Sequence, residues 1–188
     1  MGVAAMNALN FTILLVAAYL VVFCEASFNF VRDLLGAQVD LLPALVTYAA
    51  FSGNVTIIAT VSLCGGLWFD SLSANPLGIS VLPLFAIGLL VHYRRELILR
   101  EEAYAQFWVG FAASIAAPLA TLLLLLSLGR TPLVGWGSLW QLFVMGVGGG
   151  AMTPVFFWLF QWLDRTLSYQ PLPETSFRSD REIKRGRR

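Results

Sequence analysis

Five long stretches of this sequence contain no charged side chain. They are Met1–Cys24, Leu41–Phe69, Ser71–Tyr93, Ala103–Gly129 and Thr131–Leu163. A helix that crosses the hydrocarbon core of a bilayer needs about 20 apolar residues, because each residue adds only 1.5 Å to its length. All five stretches exceed that length. The pattern therefore predicts an integral membrane protein with several transmembrane helices.

The composition agrees with this prediction. Of the 188 residues, 58% are hydrophobic and only 12% are charged, whereas a typical soluble domain is about 25% charged. A soluble chain of this length would need a mostly polar surface. Because this composition does not supply one, we expect lipid to surround much of the chain. The net charge of +1 gives no indication of nucleic-acid binding. Cys24 and Cys64 lie in apolar stretches without a metal-binding spacing, and we expect them to be packing residues.

The second charge-free stretch is long for one helix and short for two. Ser52-Gly53-Asn54 lies near its middle, and Gly-Asn is a turn signal. Dividing the stretch there gives Leu41–Phe51 and Val55–Phe69, and hence six transmembrane helices in total. The first of these helices is short, so we expect it to be tilted, to extend beyond Asp40 or to be re-entrant. Five helices remain the alternative if the stretch is continuous.

The positions of the basic residues predict the orientation. Arg94, Arg95 and Arg100 lie in one short loop, and a second basic group follows the last charge-free stretch. Two predicted helices separate these groups, so both face the same side, which the positive-inside rule makes cytoplasmic. Six helices place both termini in the cytoplasm, whereas five would move the N-terminus outside. The second group consists of Arg165, Arg178, Arg181, Lys184, Arg185, Arg187 and Arg188.

The chain is expected to have two parts. Residues 1–167 form the transmembrane helical domain, and residues 168–188 form a basic, disordered cytoplasmic tail. Gln170-Pro171-Leu172-Pro173 cannot continue a helix, because proline lacks the backbone donor and restricts the residue before it. The tail either fixes the orientation of the protein or contacts anionic lipid or a cytoplasmic partner.

Small residues in the last helix indicate close helix contacts. Gly146 and Gly150 have the small-x-x-x-small spacing that lets helix backbones approach in a bilayer. Ala112, Ala113, Ala116 and Ala117 give the fifth helix a similar stretch. Such residues either pack helices within this chain or dock the transmembrane helix of a partner, and the spacing alone leaves both alternatives open.

The sequence contains no motif that indicates catalysis. It has no glycine-rich phosphate loop, no H-E-x-x-H and no nucleophile elbow, and we expect neither enzyme activity nor a cofactor nor a metal site. His92 is the only histidine, and its place beside Tyr93 and Arg94 suits a membrane interface. No carboxylate lies clearly in a helix centre, as a proton-coupled transporter usually requires, although Glu25 and Asp70 lie near helix ends.

The most distinctive stretch runs from Gly65 to Gly78. It is expected to contain a helix end, a polar loop and a helix start, with Asn75 as the cap and Pro76 at the first helical position. The positive N-terminus of that helix would favour the carboxylate of Asp70. Asp70 therefore either supports the loop or contacts a partner.

This stretch resembles the rod shape-determining protein family MreD. That family has a G-x-x-x-D-x-x-S-x-x-P-L-G pattern between two central helices, and the chain matches it at Gly66, Asp70, Ser73, Pro76, Leu77 and Gly78. Two further segments resemble the second and last helices of the family. They are Asp40-Leu41-Leu42-Pro43 with Val46-Thr47-Tyr48, and Thr153-Pro154 with Trp158-Leu159-Phe160, so the resemblance covers about Leu9 to Leu167.

The resemblance implies an all-α bundle of six transmembrane helices, similar to the substrate-binding subunits of energy-coupling-factor transporters. It also implies a non-enzymatic scaffold of the cell-elongation machinery in the bacterial inner membrane. Such a scaffold binds MreC and helps to link MreB filaments to peptidoglycan synthases, which include a SEDS-type polymerase and a penicillin-binding transpeptidase.

We expect partner contacts at three places in the chain. They are the outer loop with Asp70, Pro76 and Gly78, the helix surface with Gly146 and Gly150, and the inner face with Arg94 and Arg95. The alternative function is the substrate-binding subunit of a vitamin transporter. A channel has little support, because the sequence shows no charged or carbonyl-rich pore pattern.

Overall fold

The computed structural model describes residues 3–27, 36–73, 75–95, 102–130 and 135–167, and all regular secondary structure in them is helical. The division of the second charge-free stretch is confirmed, because one helix ends at Ser52 and the next begins at Val55. Arg100 and the predicted tail, residues 168–188, lie outside the described residues. The described helices are α1 (Val3–Ser27), α2 (Leu42–Ser52), α3 (Val55–Leu72), α4 (Val81–Arg94), α5 (Ala103–Ser127) and α6 (Trp136–Leu167).

Three helices, α3, α5 and α6, are long and apolar enough to cross a membrane. On α6, exposed tryptophans lie near both ends, and Trp140 and Trp158 are about 27 Å apart along the helix axis at 1.5 Å per residue. Tryptophan favours the two interfaces of a bilayer, whose hydrocarbon core is about 30 Å thick. The spacing therefore fits a helix that crosses a membrane.

The distribution of polar residues is that of a membrane protein. Large apolar side chains are exposed along α1, α5 and α6, whereas several polar side chains are fully buried. A soluble monomer rarely exposes such continuous apolar surface, but lipid accepts it. The fully buried polar residues include Thr47, Ser62, Ser114 and Thr153.

Helix α2 lies at the centre of the bundle and contacts all five other described helices. Its residues from Leu42 to Phe51 are buried. The ring of Tyr48 stacks on Phe160 of α6 at 4.5 Å between centroids and meets Phe157 edge-on at 5.1 Å. A helix that is apolar on every side suits such a position, because no face of it meets water.

Glycines bring consecutive helices together in antiparallel pairs. Gly66 near the end of α3 packs against Val81 at the start of α4. In the α5–α6 pair, Gly149 packs against Ser114 and Gly110 packs against Thr153. The bundle therefore has two ends. We call the end with the α3–α4 loop the loop end, and the opposite end, with Arg94, Arg95 and Arg165, the arginine end.

The start of α4 differs from the sequence prediction. The helix begins at Val81 after Ser80, and neither Asn75 nor Pro76 starts it. The intervening residues form a turn in which Gly78 has φ of +86°, a backbone conformation that would interrupt a helix. Proline at the third position of α4, Pro83, is harmless, because the first-turn amide has no intrahelical acceptor.

Candidate binding surface at the loop end

Asp70 ties the end of α3 to the start of α4. One carboxylate oxygen accepts a hydrogen bond from the Ser80 hydroxyl at 2.6 Å, and the other accepts one from the Ser80 backbone N–H at 3.1 Å. Asp70 is only 1% exposed. Its carboxylate therefore supports the loop. Its predicted contact with a partner stays a prediction, and such a contact would involve the loop that Asp70 holds.

Several other described residues of the loop are also held by local hydrogen bonds. The Ser73 backbone N–H and hydroxyl both donate to the Asp70 carbonyl oxygen at 3.3 Å, and the Asn75 N–H donates to the Ser73 hydroxyl oxygen. The Ile79 N–H donates to the Pro76 carbonyl oxygen at 3.3 Å. A side chain on Gly66 would lie within about 3 Å of the Val81 backbone. The loop is thus closely connected at both its base and its turn.

A second group of carboxylates lies at the N-terminus of α2. The Glu25 carboxylate accepts a hydrogen bond from the Leu41 N–H, and the Asp40 carboxylate accepts one from the Leu42 N–H at 2.9 Å. The first N–H groups of a helix have no intrahelical acceptor, and the helix dipole favours negative charge there. The need of these N–H groups for acceptors explains why two acidic side chains, distant in sequence, meet at the start of α2.

The donors at this place do not satisfy both carboxylates. The second oxygen of Glu25 is buried and has no hydrogen-bond partner among the described residues. The two carboxyl groups are close enough to repel each other when both are ionised. Asp40 lies between α1 and α2, outside both helices, and its burial raises its pKa to about 6 from the usual 3.8.

A cavity of about 190 Å³ lies beside both groups of carboxylates. Asp40 and Ser80 form part of its wall together with Asn75 of the loop, and apolar residues of α5 complete it. Leu125 near the end of α5 also lines it, which places the cavity at the loop end. Sites for drug-sized ligands usually enclose about 300–1,000 Å³, so this cavity suits only a small occupant.

The glycines of α6 face the interior of this chain. A side chain on Gly146 would lie 2.9 Å from Ile115 and Phe111 of α5, and one on Gly150 would lie 3.1 Å from Phe107. Both glycines are buried. Of the two alternatives left open by their spacing, packing within the chain is the one that the structure contains. A direct contact between these glycines and a partner would require α5 to move away.

The two predicted arginines lie at the arginine end. Arg94 is the last residue of α4, Arg95 follows it, and both are exposed. His92, two residues before Arg94 on α4, is within 2.9 Å of the Ala50 carbonyl oxygen through Nδ1, which connects α4 to α2. The structure therefore separates the predicted site residues into a loop, a buried helix contact and an opposite charged end.

Sequence reasoning did not identify Ser80, and it named Asp40 only in a segment that resembles the second helix of the family. Ser80 precedes Val-Leu-Pro, and a serine shortly before an early proline is a helix-start signal that could have been preferred to Asn75-Pro76. Asp40 ends a mixed segment directly before Leu-Leu-Pro. Its contact with Glu25 has no local signal, because it depends on the packing of α1 beside α2.

Comparison with known proteins does not assign this chain to a family. No protein-family model matches the chain, and no curated protein or solved structure matches it either. The resemblance to MreD and to the transporter subunits therefore stays a prediction.

Proposed function

We propose that this chain is a non-enzymatic membrane scaffold of the MreD type, which spans the bacterial inner membrane with six helices and binds MreC. The supporting observation is that the residues matching the family pattern form one connected loop. Gly66 allows the close approach to Val81, Asp70 bonds to Ser80, and Gly78 adopts positive φ. If the match to the family pattern had arisen by chance, there would be no reason for the matching residues to support the same loop.

The loop presents an apolar residue at its tip. Leu77 lies between Pro76 and Gly78 and is 72% exposed. A large apolar side chain on a fixed loop suits contact with a protein, because little conformational entropy is lost when such a surface binds. With the arginine end in the cytoplasm, according to the positive-inside rule, this tip lies outside the membrane, where MreC has its periplasmic part.

The opposite end supplies the cytoplasmic contacts of the proposal. Arg94 and Arg95 are exposed there and are available to MreB or to anionic lipid. The polymerase and the transpeptidase are membrane-bound, and the exposed apolar faces of the long helices would meet them within the bilayer. The cytoplasmic partners and the periplasmic partner would thus bind at opposite ends of one chain.

The transporter alternative has less support from the geometry. A vitamin-binding subunit needs a cavity of ligand size that opens outward, and the cavity at the loop end measures only about 190 Å³. Its polar wall and its position are the features that such a subunit would share.

The proposal is tested by capture of MreC from the same cell with the detergent-solubilised full chain. Leu77→Glu places a charge at the proposed contact and should reduce capture at least about tenfold, since about 1.4 kcal/mol of lost binding suffices. Leu128→Glu is the matched control, because Leu128 is 65% exposed and also lies at the loop end. It should leave capture unchanged.

Two results would overturn the proposal. One is capture of an ATPase-coupling subunit by a chain that never captures MreC, which would favour the transporter alternative. The other is equal capture of MreC by Leu77→Glu and the unmodified chain, which would remove the loop from the interface.

A further inference from the structure

An apolar groove lies between α4 and α5 and extends towards the arginine end. Its volume is about 350 Å³, larger than that of the cavity at the loop end. Val91 of α4 and Ala113 of α5 are buried at its base. Leu90 and Ala112 are exposed at its edges, so the groove is open to the surroundings of the bundle.

The groove exists because α5 presents small residues where it faces α4. Ala112, Ala113 and Ala116 all line it, and none fills the space beside Ile87. In a bilayer, small residues usually allow a neighbouring helix to approach closely. Here the two helices leave the space open, so that another apolar group can enter it.

The groove ends at a positive charge. Arg94 is part of its lining, and Arg95 adjoins it on the exposed surface. Within the described part of the chain, Arg94 has no ion-pair partner. An apolar groove with a guanidinium group at one end complements a phospholipid, whose apolar acyl chains end at a charged headgroup.

Aromatic residues locate this end of the groove at a membrane interface. Tyr93 and Tyr104 are largely exposed, and Trp108 forms part of the groove wall. The rings of Tyr104 and Trp108 meet edge-on at 6.0 Å between centroids. Tyrosine and tryptophan accumulate at the level of the headgroups, which places Arg94 at headgroup level and the apolar part of the groove at acyl-chain level.

We propose that the groove binds an anionic phospholipid, with one acyl chain against the alanines of α5 and the phosphate on Arg94. Guanidinium binds phosphate oxygens through charge-assisted, often bidentate hydrogen bonds. The site does not depend on the proposed scaffold function, since it rests on α4 and α5 alone. It would give the protein a preference for membrane regions rich in anionic lipid.

The dimensions favour a lipid over the transmembrane helix of another protein. From Ile87 to Arg94 the groove follows α4 for about 10 Å, at 1.5 Å per residue. A partner helix would cross about 30 Å of hydrocarbon and would need a continuous surface of that length. An acyl chain needs only a short apolar channel beside a cation.

The test uses the full chain purified in detergent and mixed with phosphatidylglycerol and phosphatidylcholine in equal amounts. Native mass spectrometry then counts the lipids that remain bound. Arg94→Gln should lower the preference for phosphatidylglycerol about fivefold, the factor that corresponds to one basic residue near an anionic lipid. Arg95→Gln is the matched control, because it removes the same charge at the next residue outside the groove, and it should keep the preference.

A second pair of variants tests the apolar part of the groove. Ala112→Leu should fill the groove and reduce the binding of both lipids, whereas Ala86→Leu, at an exposed alanine of α4 that does not line the groove, should not. Equal effects of the two arginine variants would overturn the proposal, because they would indicate diffuse surface charge. Unchanged lipid binding in Ala112→Leu would also overturn it.

A photo-crosslinker at exposed Leu90 distinguishes the other possible occupants. In nanodiscs that contain phosphatidylglycerol, an adduct with lipid that is lost in Ala112→Leu supports the proposal. An adduct with a second copy of this chain or with another membrane protein, in place of lipid, would overturn it. All these variants change surface residues, and gel filtration checks that each protein remains folded.

Discussion

Two groups of carboxylates, buried Asp70 and the pair of half-buried Glu25 and buried Asp40, lie at the loop end and differ in the supply of hydrogen-bond donors. Asp70 has a donor for each oxygen, since Ser80 gives it both a hydroxyl and a backbone N–H. Glu25 and Asp40 receive one backbone N–H each, and one oxygen of Glu25 has no partner among the described residues. Burial alone therefore does not determine what a carboxylate contributes to stability.

The difference comes from the helix starts that the two groups serve. The start of α4 offers one carboxylate both donors of Ser80, whereas the start of α2 has to accommodate two carboxylates with the N–H groups of Leu41 and Leu42. A buried carboxylate with its donors stabilises a fold, while two incompletely satisfied carboxylates that repel each other reduce stability. The following predictions test this contrast through the free energy of unfolding.

The largest effect is expected for Asp70→Ala. The change leaves the hydroxyl and the N–H of Ser80 buried without their acceptor, and should destabilise the fold by about 4 kcal/mol. Denaturation in mixed detergent micelles measures this change. Glu102→Ala, at an exposed carboxylate directly before α5 at the arginine end, should cost less than about 1 kcal/mol. If the two variants lost similar stability, the bonds of Asp70 to Ser80 would not hold the loop.

The contribution of the second group, Glu25 and Asp40, to the free energy of unfolding should depend on pH. Because the pKa of Asp40 is raised from 3.8 to about 6, the folded protein binds this proton more tightly than the unfolded chain does. The contribution of Asp40 to stability is therefore greatest below about pH 4. It falls by at most about 3 kcal/mol as the pH rises to about 6, and then stays constant.

The variant Asp40→Asn isolates this contribution. It cannot titrate, but its side-chain oxygen can still accept the Leu42 N–H. Relative to the unmodified protein it should therefore be more stable at pH 8 than at pH 4. A stability difference between the two proteins that did not change with pH would contradict the raised pKa of Asp40.

The sequence predicts the helices better than it predicts these two groups. Charge-free stretches predicted the apolar helices, and Ser52-Gly53-Asn54 predicted the division between α2 and α3, because both signals are local. The start of α4 was predicted too early, because Asn75-Pro76 is a valid local start signal. The structure follows the bond between Asp70 and Ser80 instead, which depends on how α3 and α4 pack.

The glycines of α6 show the same limit of prediction from local sequence signals. The spacing of Gly146 and Gly150 predicted a close helix contact but did not identify the neighbour, since any helix with a complementary surface would serve. The structure supplies Phe107 and Phe111 of α5 as that surface. The contact between Glu25 and Asp40 had no signal in the sequence, because it joins two segments through the start of α2.

The smallest effect is expected for Glu25→Gln, and it should have the opposite sign to that of Asp70→Ala. The amide oxygen can still accept the Leu41 N–H, while the cost of burying a carboxylate and its repulsion by Asp40 are both removed, so the protein should gain about 1 kcal/mol at pH 8. In Asp40→Asn the repulsion is already absent, and adding Glu25→Gln should then bring a smaller gain than it brings alone, a non-additivity expected of residues in contact. If the two gains were additive, the carboxylates would not interact, and the contrast with Asp70 would lie in burial alone.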